Sequence, residues 1–142
     1  MVSTVSAAAP SQSSKVLPIA LWIAQLLLAV MFGMAGLMKL TSPIAVLAQN
    51  MAWVGSVPVA LVRFIGLAES SAALGLLLPS LTRIKPSLTP LAAAGLVLIM
   101  VLASLFHLSR GEAQMVPINL LLGAIAAFVA WGRFTRAPIE PR

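Results

Sequence analysis

Five side chains in this 142-residue chain could do chemistry: Lys39, Arg63, Glu69, His107 and Asn119. Each stands inside, or at the end of, a long hydrophobic run. An ionisable group in hydrocarbon costs about 3 kcal/mol or more unless it is paired or hydrated. Lys39 closes its run and reads either as a headgroup anchor that snorkels to the interface or as a pocket cation. Arg63 lies about six residues inside its run, deep enough to want a carboxylate. Glu69 lies about twelve residues, or roughly 18 Å, inside and cannot snorkel. It must be paired, hydrated or protonated. His107 reads as a hydrogen-bonded structural residue or as a proton-exchanging one. Asn119 reads as a first-turn cap, an inter-helix hydrogen-bonding group or a ligand contact.

Spacing limits how these groups meet. Arg63 and Glu69 are six residues apart, about 240° around a helix, so they do not stack as i,i+4 partners do. Each is expected to reach across to another helix, with Lys39 the natural partner of Glu69. Glu69 and His107 alone supply too few ligands for a metal, and no metal site is expected.

Four apolar segments carry these residues, at about 17–40, 57–78, 90–108 and 116–131. At about 1.5 Å per residue each covers most or all of a hydrocarbon core of about 30 Å. Lipid offers the backbone no hydrogen-bond partners, so an open chain crosses it as helix. The fold class expected is therefore all-α, an antiparallel bundle of four transmembrane helices. Ser42-Pro43, Ser56-Val57-Pro58 and Thr89-Pro90 read as capping hydroxyls before first-turn prolines, Pro117 as a first-turn proline and Pro79 as a helix stop. Residues 1–16 are expected to be a disordered tail, 17–134 the membrane domain and 135–142 a C-terminal tail. The first apolar run is longer than a signal-peptide core and ends in Lys39, so it is read as a span.

Composition agrees. Hydrophobic residues make up 61% of the chain and charged residues 8%, too few to cover a water-soluble surface. The net charge of +6 is carried at segment ends, without the basic and aromatic clustering of a nucleic-acid binder. With no cysteine and one histidine, dithiol redox chemistry, iron–sulfur ligation, thiolate zinc and bis-histidine haem are excluded for a single chain. Lys15, Arg83, Lys85, Arg133, Arg136 and Arg142 fall on the side of the termini, against Lys39, Arg110 and the deeper Arg63. That bias places both termini in the cytoplasm of an inner-membrane protein. The five polar residues then share the outer half, while the inner half offers little beyond Gln25.

The connection 41–56 is longer than a plain loop needs. Ile44, Leu47, Met51 and Val54 form one stripe of a helix, and Trp53 suits an interface, so a short amphipathic helix is expected between helices one and two. Small residues mark where helices approach closely: Gly33 and Gly36 before Lys39, Gly66 with Ser70, Ser71 with Gly75, and Gly123 with Ala127.

The runs GMAGLMKL, RFIGLAESSAALGLLLP and LAAAGLVLIMVLASLFHL, followed by the segment bearing Asn119, resemble the DoxX-like family of small four-helix membrane proteins over about residues 18–134. The positions that carry the resemblance are Lys39, Arg63, Gly66, Glu69, His107 and Asn119. The family takes its name from the membrane subunit of a thiosulfate:quinone oxidoreductase. The resemblance therefore implies a quinone-like ligand and a partner oxidoreductase subunit, although the chain carries no flavin, nicotinamide, haem or iron–sulfur motif of its own. The leading expectation is a binding module whose outer-half pocket, lined by Lys39, Arg63, Glu69, His107 and Asn119, holds a small amphipathic molecule. The alternatives are a structural or assembly subunit knit by intramembrane ion pairs, and a proton-coupled transporter. Against the last stand the small bundle, the sparse inner half and the lack of an inverted repeat with broken helices.

Overall fold

The computed structural model describes residues 13–142. Residues 1–12, most of the tail expected to be disordered, lie outside the described residues. The chain forms α1 (Ser13–Thr41), α2 (Ile44–Asn50), α3 (Val59–Thr82), α4 (Leu88–Ser109) and α5 (Val116–Trp131), which a π-helical turn, Gly132–Arg136, extends. Short 3₁₀ turns, Ala52–Ser56 and Ala113–Met115, precede α3 and α5. Four of the helices are long and apolar enough to cross a membrane. Large aliphatic side chains cover their outward faces, among them Ile23, Val30, Leu74, Leu98, Leu105 and Leu120, each more than half exposed. Such a surface is stable against lipid tails and not against water.

The helix limits differ from those expected at three prolines and hydroxyls. α3 continues through Pro79 to Thr82 and stops at Arg83, which adopts a left-handed conformation (φ 57°). Proline removes one backbone donor, yet the helix runs on past it, with Pro79 and Ser80 both buried. No side chain caps α2, α3 or α4. The Thr89 hydroxyl, expected as a cap, is instead buried 2.7 Å from the Ser80 hydroxyl.

Glycine sets the tightest contact in the bundle. A Cβ on Gly36 would lie 2.7 Å from the Ser70 nitrogen and 2.8 Å from the Gly66 oxygen, and one on Gly66 would lie 2.8 Å from Cβ of Lys39. The backbones of α1 and α3 therefore touch at Gly36, Gly66 and Ser70, which any larger residue would prevent. A Cβ on Gly75 would lie 2.8 Å from Cβ of Ala92 in α4, and one on Gly123 would lie 3.3 Å from Cβ of Met100. Gly33 is looser, at 3.6 Å from Ala73, and Ser71 and Ala127 face outward instead of joining a contact.

Two polar layers flank an apolar belt. At the end where α1 begins, Gln25 Nε2 donates to the Leu76 carbonyl at 2.7 Å and to Ser80 at 3.2 Å. Arg133 Nε donates to Gln25 Oε1 at 2.7 Å, and its guanidinium lies 5.4 Å from the Trp22 ring. This layer overturns the expectation that the inner half offers little beyond Gln25. Arg133, counted as a flanking charge, is drawn inside because the π turn aims it back at α1 and the buried amide receives it. Leu28, Phe32, Ala73, Leu96 and Ala126 fill the belt between this layer and that of Lys39 and Glu69. The C-terminal segment packs onto the α3–α4 turn, Arg83 Nε donating to the Glu140 carbonyl at 2.7 Å.

Replacing Gly36 or Gly66 by alanine is expected to cost about 1–3 kcal/mol through overpacking. Gly95, with nothing within 4 Å of its Cβ position, is the control, and Gly95→Ala should be neutral or mildly stabilising. Thermal unfolding in one detergent compares the three.

Candidate functional site

The Gly36–Gly66 contact lays the last turn of α1 against the middle of α3. Lys39 and Glu69 meet there, Nζ to Oε2 at 2.8 Å, with both side chains 7% exposed. The pair expected across two helices is thus formed, and Lys39 does not snorkel away. Burying it is costly, and what repays the cost is direct contact in a low-dielectric setting.

Arg63 behaves otherwise than expected. Its Nη1 donates to the backbone carbonyls of Lys39 at 2.6 Å and Ser42 at 2.9 Å, and no carboxylate pairs with it among the described residues. The last carbonyls of a helix lack intrahelical donors and carry partial negative charge, so a guanidinium one turn into α3 satisfies them and pins the α1 exit. Arg63 does not line the cleft described below. Its place is structural, and it holds the backbone from which Lys39 projects.

His107 has a partner that sequence reasoning passed over. Its Nδ1 lies 2.7 Å from Glu112 Oε2, and Arg110 Nε donates to Glu112 Oε1 at 3.1 Å. With the carboxylate as acceptor, Nδ1 carries the proton, which leaves Nε2 as the ring nitrogen without a partner among the described residues. The signal was present: an acid five residues past the histidine, across a turn containing Gly111 (φ 74°), can fold back onto the helix end. The hydrogen bond from His107, followed by the contacts with Arg110, holds the Glu112 carboxyl below the usual carboxylate range. Arg110 also donates to the Ser56 hydroxyl and lies 5.6 Å from the Phe106 ring, tying the α4–α5 turn to the segment before α3.

Around these groups lies a cleft of about 630 Å³ between α3 and α4. Lys39, Glu69, His107 and Asn119 all line it, so four of the five site residues expected from sequence share one cavity. Its walls are apolar: Leu61, Phe64 and Ile65 on α3, and Ile99, Ala103 and Phe106 on α4. The roof is the connection after α1, where Leu47 and Val54 pack on Val62 and Trp53 meets Phe106 edge-on at 6.0 Å. The amphipathic stripe anticipated there is the face that folds inward. Asn119 is 8% exposed, and its Nδ2 has no hydrogen-bond partner among the described residues. No group of three His, Cys, Asp or Glu side chains that could hold a metal occurs among the described residues.

Two measurements probe this geometry. Removing one partner of the buried pair, as in Glu69→Gln or Lys39→Met, should cost about 3–5 kcal/mol, and the double replacement Lys39→Met/Glu69→Leu should cost less than the worse single change. Thermal unfolding of the cycle checks both. Because folding lowers the Glu112 pKa, its stabilisation is fully present above the ordinary carboxylate range and fades as pH falls through the lowered value. The melting-temperature difference between wild type and Glu112→Gln should shrink accordingly as the solution is acidified.

No curated protein and no solved structure matched the chain. The family model described as the DoxX-like family matches residues 23–129, a stretch that begins near the Trp22–Gln25 turn and runs to Val129 in α5. That match takes in the Gly36–Gly66 contact, the Lys39–Glu69 pair, His107 with Glu112, and Asn119. The chain is a four-span membrane protein that belongs to the DoxX-like family.

Proposed function

We propose that the protein is a binding module of the cell membrane, with both termini cytoplasmic, whose cleft holds a small amphipathic molecule such as a quinone. One observation carries the reading: an apolar cavity of about 630 Å³ with Lys39, Glu69, His107 and Asn119 gathered in its lining. Volume and character suit a ligand with an apolar body and a few polar atoms, since small-molecule sites run from about 300 to 1,000 Å³ with mainly hydrophobic walls. His107 and Glu69 exchange protons with such a ligand through hydrogen bonds, and a redox partner subunit supplies or accepts electrons where the ligand is a quinone. The basic groups gathered at the end of the termini, Arg83, Lys85, Arg136 and Arg142, support the cytoplasmic orientation.

The structural reading keeps a specific observation of its own. The Lys39–Glu69 pair and the Arg63 contacts join α1 to α3 and stabilise the bundle whether or not anything binds. A proton-coupled transporter has less support, because the apolar belt separates the two polar layers and the spanning helices are unbroken.

Ala103→Phe separates the first two readings. Ala103 lines the cleft on α4, and a phenyl ring there takes up cavity space while both members of the ion pair are retained. A binding module should lose stabilisation by decylbenzoquinone while the variant stays folded in the membrane. An unchanged melting-temperature shift in that variant would place the ligand elsewhere and favour the structural role.

A further inference from the structure

The two ends of the bundle treat their charges differently. At the end that bears the cleft each acid holds a cation, Glu69 with Lys39 at 2.8 Å and Glu112 with Arg110 at 3.1 Å. At the end where the termini lie, Lys15, Arg83, Lys85, Arg136 and Arg142 are all exposed, and Glu140 is the one acid beside them among the described residues. No salt bridge joins Glu140 to any of these cations among the described residues. Like charges gathered without acids repel one another, and an anion from outside the chain removes that cost.

The fold brings three of these cations together. The C-terminal segment crosses back over the α3–α4 turn: Arg83 Nε donates to the Glu140 carbonyl at 2.7 Å, and the backbone nitrogen of Arg142 donates to the Arg83 carbonyl at 3.1 Å. This strap seats Arg142 beside the turn that carries Arg83 and Lys85. Both turn residues adopt left-handed conformations, φ 57° and 46°. Glycine or asparagine fills such positions at less cost, yet this turn carries a guanidinium and an ammonium there. Arg83 spends Nε and Nη2 on strap carbonyls, and its Nη1 has no hydrogen-bond partner among the described residues.

The same turn marks its own depth in the bilayer. Leu81 and Ile84 are 64% and 52% exposed and alternate with Arg83 and Lys85, so apolar and cationic groups leave the bundle at one level. Trp131 adds a half-exposed ring at this end of α5, with the Arg136 guanidinium 5.8 Å from its centre. Exposed aliphatic, aromatic and basic side chains together belong to the boundary between acyl chains and headgroups. A soluble anion engages the cations alone, whereas a phospholipid engages both kinds of group.

We infer that the α3–α4 turn and the C-terminal strap form a docking site for an anionic phospholipid, whose phosphate meets Arg83, Lys85 and Arg142 and whose acyl chains lie on Leu81 and Ile84. The site shares no residue with the cleft, and it stands whether or not the cleft holds a ligand. A bound headgroup neutralises the gathered cations and fastens the strap to the turn.

The test compares the full chain in nanodiscs of phosphatidylcholine alone and of phosphatidylcholine mixed with phosphatidylglycerol. Wild type should melt higher in the mixture, and native mass spectrometry should find phosphatidylglycerol retained above its share of the bilayer. Lys85→Gln/Arg142→Gln leaves the hydrogen bonds of Arg83 and of the strap backbone in place. It should lower that enrichment about fivefold for each cation removed, the usual scale for a basic residue at an anionic surface. Lys85→Arg/Arg142→Lys, which conserves charge, should keep the enrichment, and Lys15→Gln, which removes a charge outside the turn, should lower it far less. Inorganic phosphate added to phosphatidylcholine nanodiscs should leave the melting temperature unchanged. Equal retention of the two lipids by wild type, or full enrichment in Lys85→Gln/Arg142→Gln, would overturn the inference. So would a loss in Lys15→Gln as large as in the double variant, the mark of diffuse charge, or stabilisation by phosphate equal to that by lipid, the mark of a free-anion site.

Discussion

The close approach of α1 and α3 at Gly36 and Gly66 is the constraint on which the rest of the structure depends. With no Cβ at either position, the two backbones come near enough for Lys39 to meet Glu69 inside the bundle. The ion pair could not by itself draw the helices together, because desolvating two charges opposes its formation. Packing supplies the close approach, and the charges hold the register against sliding. Arg63 reinforces that register by binding the carbonyls that α1 leaves free at its end.

The other helices complete the site by leaving space. α3 and α4 pack closely at Gly75 and Ala92, toward the end where the termini lie, and border the cleft toward the Lys39 end. The connection after α1 folds its apolar stripe down over that opening, and the Trp53–Phe106 contact anchors it to α4. At the opposite end Gln25, Ser80, Thr89 and Arg133 form a second polar knot that closes the bundle instead of opening it. The two ends differ because one set of polar groups is knit side chain to side chain, apart from Arg133 Nη2, which has no partner among the described residues, while the other borders the cleft.

Lys39, Arg63 and Glu69 show how charges carried by one pair of packed helices reach different ends. All three are charged residues near one face of a two-helix contact. Lys39 and Glu69 neutralise each other, whereas Arg63, about 240° around α3 from Glu69, faces the end of α1 and finds carbonyls. Position along the helix was readable from residue number, but which neighbour waited at that angle was not. Thr89 makes the same point: its position before a proline suggested a cap, and a buried hydroxyl opposite proved the stronger attraction.

Sequence by itself determined the solvent and the number of spans, because these follow from hydropathy and the fixed rise of a helix. It also marked Gly36, Gly66 and the stripe from Ile44 to Val54, since the size of a residue and its period are local properties. Tertiary structure alone decided that Glu112 folds back onto His107, that Arg133 turns inward to Gln25, and that Arg63 leaves the cleft. Each of these depends on the rotation of one helix about its axis and on the path of a turn. Those are set by packing among elements distant in the chain, and hydrophobic periodicity is nearly silent about them where every face of a helix is apolar.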